Sequence, residues 1–196
     1  MTVDDAALDR IVDEARDGDP EAFAAIFDRF HEPVYRYIVS RVYRPADAED
    51  LTQLVFVKVL EALPRYESRG VPFGGWLFRL ARNVLIDHVR TRHETTGLEV
   101  LLERADVDRG PDDWAMAREE IEAVGTALAA LTDEQRETIA LRFFAGLSAK
   151  EVAIAMGKQE GTIRGLQFRA IAALRRQLGI DIVDAEPAKR PGVETA

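Results

Sequence analysis

A chain of 196 residues with 47% hydrophobic content can bury one large core or two small ones. It contains no cysteine, which excludes disulfides, thiol catalysis and cysteine-ligated zinc, and three scattered histidines make no His-rich metal site, so no cofactor is expected. No apolar run approaches the roughly 18 residues of a membrane span, and the acidic start Met1-Thr2-Val3-Asp4-Asp5 is unlike a secretory signal, so the expected compartment is the cytoplasm, without membrane insertion.

The first block of predicted helix runs from about Leu8 to Arg92. Ala22, Phe23, Ile26, Phe27 and Phe30 share a helical face. Pro33 is expected to interrupt or kink that helix before it continues from Val34 to Val42. Arg44-Pro45-Ala46-Asp47 reads as a break, followed by a helix from about Ala48 to Leu63. Leu51, Leu54, Val55, Phe56, Val57, Val59 and Leu60 make it apolar on nearly every side, which implies that a partner shares it with the core. After Pro64 a loop spans Arg65 to Pro72. The next helix, from Phe73 to about Arg92, is expected to bury Phe73, Leu77, Leu80, Ala81, Val84 and His88.

Residues 93–112 lack helical periodicity and are rich in acids, as an interdomain linker would be. A second block begins near Asp112 with the stripe Trp114, Ala117, Ile121, Val124, Leu128 and Leu131. Thr132-Asp133-Glu134-Gln135 is a capping-box pattern. The helix that it starts is expected to run through Ile139, Leu141, Phe143 and Phe144 and to stop at Gly146. Ser148-Ala149-Lys150-Glu151 opens a short helix that ends at Gly157, and another follows from about Glu160 to Leu178. Residues 180–196 read as a disordered tail. No alternating strand pattern occurs, so the fold class is all-α, two small helical domains at 1–92 and 113–179.

The net charge of −9 hides an uneven distribution. Residues 1–61 carry 14 acids and 7 bases, and residues 94–122 carry 10 acids and 3 bases. By contrast, residues 64–92 carry 6 bases and 2 acids, and residues 158–176 carry 5 bases and 1 acid. Two basic islands in an acidic chain are either ordinary solvated helix faces or nucleic-acid surfaces. The total field repels phosphate, so the second reading requires a partner to dock them.

Ser148 to Leu178 has the spacing of a helix-turn-helix. Ala153 is small where the second helix crosses, Gly157 tolerates positive φ in the turn, and Ile163 points back at the first helix. A plain helical hairpin is the alternative. In the helix-turn-helix, Thr162, Arg164, Gly165, Phe168 and Arg169 face the major groove, with Lys158 and Glu160 at its entrance. In the first block, Trp76, Arg79, Asn83, Asp87 and Arg90 form one helix flank behind a loop holding Arg65, Tyr66 and Arg69. Aromatic, basic and amide groups on one flank suit single-stranded DNA, whose bases stack and whose phosphates pair. The alternative is that Trp76 belongs to the core and the rest to an ordinary surface.

Asp47-Ala48-Glu49-Asp50-Leu51-Thr52-Gln53-Leu54-Val55-Phe56, then Phe73 to Asn83 with Asp87 and Arg90, resemble region 2 of the extracytoplasmic-function sigma factors of the sigma-70 family. Leu131 to Arg136, then Gly146-Leu147-Ser148 to Arg164, are similar to their region 4. The resemblance implies a transcription initiation factor, not an enzyme, that joins core RNA polymerase and directs it to promoter DNA. It implies that Asp47, Asp50, Gln53, Leu54 and Val57 dock on the polymerase clamp helices. It also implies that the Arg65–Pro72 loop and the Trp76 flank take bases of the −10 element. The second block, also a partner of the polymerase flap, would read the −35 element, and an anti-sigma factor would restrain the whole. Three positions depart from the family pattern: Leu54 for a glutamate, Leu166-Gln167 for Arg-Leu, and Gln159 for a serine. The competing reading is a two-domain regulator of the LuxR type that binds duplex DNA without polymerase.

Overall fold

The computed structural model describes residues 3–42, 44–68, 70–95 and 124–179. All regular structure among these residues is helical, the expected class. The C-terminal tail, most of the linker and half of the Trp114 stripe lie outside them.

Helices α1 (Val3–Arg16) and α2 (Pro20–Val39) pack as a hairpin. Asp19 caps α2 by accepting from the Glu21 backbone N–H at 2.8 Å, and Pro20 occupies the first helical position, where its missing N–H costs nothing. Of the two outcomes expected at Pro33, a break or a kink, the break does not occur: Pro33 lies inside α2. A proline inside a helix costs about 3 kcal/mol. Here Ile26, Phe30, Val34, Tyr37 and Ile38 are buried on both sides of it, and that burial holds the helix in one piece.

Helix α3 (Pro45–Ala62) also starts earlier than expected, because Pro45 takes its first position instead of breaking the chain. Its inner face is Ala48, Leu51, Val55, Phe56 and Val59, with Thr52 buried among them and donating to the Ala48 carbonyl at 2.7 Å. A single 3-10 turn (Leu63–Arg65) leads through the 66–72 loop into α4 (Phe73–Thr95). Helix α4 buries Phe73, Leu77, Ala81 and Val84 as expected, and also Phe78 and Leu85, whereas Leu80 and His88 are only half-buried. More of its circumference is covered because the C-terminal half packs on it too.

The described part of that half opens with helix at 124–129, where Val124 is exposed, and Leu131 just after it is buried. The Arg136 guanidinium donates to the carbonyls of Leu128, Ala129 and Leu131 and closes this end. Helix α5 (Asp133–Ile139) opens on the expected capping box between Thr132 and Gln135. Helical structure runs on to Phe144 and stops before Gly146 as expected, but its last turn is not α-helical. Ala140–Phe144 form a π turn in which the Ala145 N–H donates to the Ala140 carbonyl at 3.1 Å. The turn keeps Ala140 and Leu141 inside but leaves Phe143 and Phe144 exposed.

Helix α6 (Ala149–Met156) carries the second capping box, Ser148 with Glu151. Gly157 closes it with φ of 64°, and Lys158 N–H donates to the Ala153 carbonyl at 2.8 Å. A Cβ would disfavour that left-handed backbone, so the glycine sets the turn into α7 (Glu160–Gln177). Of the expected inner face Ile163, Leu166, Ala170 and Leu174, the first three are buried and Leu174 is half-buried. One hydrophobic core runs from Val12 through α2, α3 and α4 into the π turn, α6 and α7, with a smaller cluster at Leu131, Ile139 and Ala170.

Candidate nucleic-acid interface

In the N-terminal half the candidate surface begins with aromatic packing. Tyr66 is buried after the 3-10 turn, its ring 5.4 Å from Phe73 and 4.8 Å from Trp76. Its hydroxyl donates to the Val71 carbonyl at 2.9 Å and ties the loop across its mouth. Burial, followed by the charges of Asp9 and Asp13, pushes this phenol up to about 12, so it stays a donor. Tyr66 is therefore not the open contact that the sequence suggested. An aromatic ring that fits against two others loses more by facing water, and it acts as a prop for the loop.

Trp76 is half-buried against Tyr66 and Phe73. Arg79, Asn83, Asp87 and Arg90 continue from it as an exposed stripe, and Arg65 is exposed at the loop. Arg90 and Asp87 pair with each other at 3.5 Å, a surface contact that a phosphate can displace. Arg69 lies outside the described residues.

The second surface is the outer face of α7. Thr162, Arg164, Phe168 and Arg169 are exposed, and Phe168 shows 75% of its surface, a large apolar exposure on a helix otherwise packed on its other side. Gly165 sits beneath the Arg169 guanidinium. Arg164 donates to Glu160 at 3.1 Å, and Lys158 pairs with Glu134 at 2.7 Å, so both bases have internal partners. Gln159 makes no side-chain cap, as its departure from serine implied. The other departure has a local role: Leu166 is buried, and Gln167 Oε1 accepts from Arg142 Nε at 2.9 Å, which ties α7 to the π turn.

A third surface lies on α3. Leu54, Val57 and Leu60 are 42%, 51% and 55% exposed and line up at three-residue steps. Asp50 and Gln53 are exposed beside them, while Asp47 is half-buried and accepts from Arg44 at 3.0 Å.

One constellation had no signal in the sequence. Glu137 of α5, 6% exposed, accepts from the Tyr37 hydroxyl of α2 at 2.6 Å. It also pairs with Arg41 at 3.2 Å and Arg82 of α4 at 3.5 Å. Burial, followed by the Glu137 charge, pushes the Tyr37 phenol well above its ordinary range. A spacing rule cannot find a contact between residues 100 positions apart. Among the described residues no group of acids and histidines could hold a metal ion, and no helix is long and apolar enough to cross a membrane.

Comparison with known proteins matches residues 26–95 to Sigma-70 region 2 and residues 127–176 to Sigma-70, region 4. The chain is 38% identical over 181 residues to the ECF RNA polymerase sigma factor BldN of Streptomyces coelicolor, covering 91% of this chain and 68% of that protein. Among solved structures it is similar to CnrH in complex with the cytosolic domain of CnrY, with a TM-score of 0.66, 26% identity, and 87% of this chain and 96% of that one covered. It shares the fold of the sigma factor RpoE in complex with the anti-sigma factor NepR from Bartonella quintana, with a TM-score of 0.62, 24% identity, and 81% and 98% covered.

Proposed function

The chain belongs to the ECF RNA polymerase sigma factors, which bind core polymerase and direct it to promoter DNA, and from that membership we propose how its residues divide the work. The LuxR-type alternative falls with the region 2 match, since a duplex-only regulator has no use for that half. Region 2 is assigned to residues 1–92 and region 4 to residues 113–179, with 93–112 as the tether between them. The chain supplies recognition and no catalytic chemistry of its own, and it works in the cytoplasm, where the polymerase is.

Leu54 and Val57, with Asp47, Asp50 and Gln53 around them, dock on the polymerase clamp. Burying an exposed aliphatic row of this kind is worth roughly 25 cal/mol per Å². Trp76 stacks on a flipped −10 base, Asn83 reads a base edge, and Arg65, Arg69, Arg79 and Arg90 follow the backbone, with Asp87 orienting Arg90. On α7, Thr162, Arg164, Gly165, Phe168 and Arg169 face the −35 duplex, with Lys158 and Glu160 at the groove entrance. Phe168 suits a thymine methyl, and Arg164 reads guanine or phosphate.

The observation that supports this division is that three different helices each keep one such face uncovered: aliphatic on α3, aromatic and polar on α4, aromatic and basic on α7. RpoE is held by an anti-sigma factor, and a regulator of that kind is proposed here as well. Transcription with purified core polymerase on a promoter library tests the reading. New start sites should appear only when the protein is added, and none would overturn it.

A further inference from the structure

An arginine on a DNA-facing helix can serve a phosphate or a guanine. The surroundings of Arg164 are not neutral between the two. On the surface of α7 its neighbours one turn away are residues 160, 161, 167 and 168. Gly161 has no side chain, and a Cβ built there would touch nothing. Gln167 turns its side-chain oxygen to Arg142 at 2.9 Å. Phe168 offers no acceptor. That leaves Glu160, which among the described residues alone accepts from Arg164.

The contact uses one edge of the guanidinium. Nε donates to Glu160 Oε1 at 3.1 Å, and Nη2 donates to the same oxygen. Those two nitrogens form the side edge. The end edge, made by Nη1 and the second hydrogen of Nη2, donates to no group among the described residues. Two parallel N–H groups at that edge fit the O6 and N7 acceptors of guanine. The Arg164 side chain is 70% exposed, so the fork can be reached with the ion pair intact. A phosphate meets a different setting. Its charge must sit beside the Glu160 carboxylate, so either two anions repel or the ion pair breaks. An exposed pair one helical turn apart contributes little to stability. What this one fixes is the direction of a long side chain that otherwise samples many rotamers.

We propose that Glu160 is a positioning residue that makes Arg164 a guanine reader: it occupies the side edge of the guanidinium, leaves the end fork for O6 and N7 of one guanine, and keeps phosphate away. The role rests on the reading of α7 as the −35 helix and deepens it.

Selection from a randomised duplex library tests it, with the full chain alone at low salt and again with core polymerase bound. The wild-type protein should enrich one guanine that Arg164→Ala no longer enriches. Replacing that base with 7-deazaguanine, which lacks the N7 acceptor, should weaken wild-type binding and leave Arg164→Ala binding unchanged. Glu160→Ala should lower the preference for this guanine about tenfold and keep the preferences at other base pairs. It should also steepen the fall of log affinity with log salt by about 0.9, the value of one added phosphate contact. Glu160→Gln keeps an accepting oxygen and should retain more of the guanine preference than Glu160→Ala. A mere loosening of the helix start would weaken every position together and leave the salt dependence no steeper. The proposal is overturned if no guanine depends on Arg164, if Glu160→Ala keeps the full preference, or if all positions weaken alike. It is also overturned if Glu160→Gln does no better than Glu160→Ala, or if the lost preference falls at a different base pair, which Glu160 would then read itself. Run-off transcription by the wild-type protein with core polymerase tests the other claim, because its absence condemns the sigma-factor reading and leaves the duplex selection standing.

Discussion

Region 2 and region 4 of this sigma factor prepare their DNA surfaces by opposite means. Region 4 presents one helix whose proposed reading residues are exposed simply because Ile163, Leu166 and Ala170 point the other way. Region 2 presents a surface assembled from parts. Tyr66 closes the loop through Val71, Phe73 backs Tyr66, and Trp76 leans on both. Helical periodicity alone makes the first kind of surface, whereas the second needs three rings and a hydrogen bond to meet. A recognition helix tolerates change at its outer residues one at a time, but an aromatic prop transmits a change at any member to the others.

The largest expected effect tests that contrast directly. Phe73→Ala and Ile163→Ala both empty fully buried positions, and each should cost about 2–5 kcal/mol in denaturant unfolding. Their functional consequences should differ. Phe73→Ala removes the ring under Tyr66 and Trp76, so −10 opening should fail even at temperatures where the protein remains folded. Ile163→Ala should lose −35 use only in proportion to the unfolding of region 4. Permanganate footprinting of the melted region at several temperatures distinguishes them. If Phe73→Ala opens promoters normally while folded, the aromatic prop has no functional role.

The same contrast explains what could be seen in the sequence. Nearly all of the helix-turn-helix was legible because its signals are local: two capping boxes, Gly157 at a left-handed turn, and Ala153 and Ile163 at fixed offsets. The apolar surplus on α3 was legible for the same reason, and Leu54, Val57 and Leu60 are indeed left outside the core. Tyr66 was misplaced because its burial depends on Phe73, across a loop whose path no spacing rule gives. Pro33 did not break α2, because its local penalty is set against the burial on either side of it. Phe143 and Phe144 were placed on a regular helix, but its last turn is a π turn, and periodicity cannot show where such a turn falls. The Glu137 joint was wholly invisible, since each of its members reads as a routine surface residue or core tyrosine until the two halves meet.

Point changes on the two surfaces should have smaller effects, and they sharpen the comparison. Trp76→Ala should weaken promoter opening by about 1–3 kcal/mol, the value of one base stacked on an aromatic ring. Arg164→Ala should cost about 1–3 kcal/mol at −35 sites and leave promoters that lack that element unaffected. The two losses should add, because the residues lie on surfaces that act on separate DNA elements. Abortive initiation on matched promoters with and without a −35 element measures both. Equal losses by Arg164→Ala on the two promoters would move this residue from base reading to general phosphate contact.

The smallest effect concerns a helix start that lacks a side-chain cap, that of α7. Gln159 precedes α7 with extended backbone, φ of −83° and ψ of 147°, the geometry of a capping residue, yet its side chain bonds to none of the free N–H groups. A serine there should accept from one of them and add about 0.5–2 kcal/mol to region 4. The backbone already adopts the required shape, so the gain carries no strain to offset it. Gln159→Ser should therefore raise the unfolding temperature of the protein slightly while changing neither the −10 flank nor the exposed face of α7. It should leave −35 affinity nearly unaltered if Arg164 and Phe168 act from a helix already formed. A marked rise in −35 affinity would instead mean that the first turn of α7 is incompletely formed in the wild-type protein. In that case the recognition surface, like the one in region 2, has to be completed by something beyond its own helix.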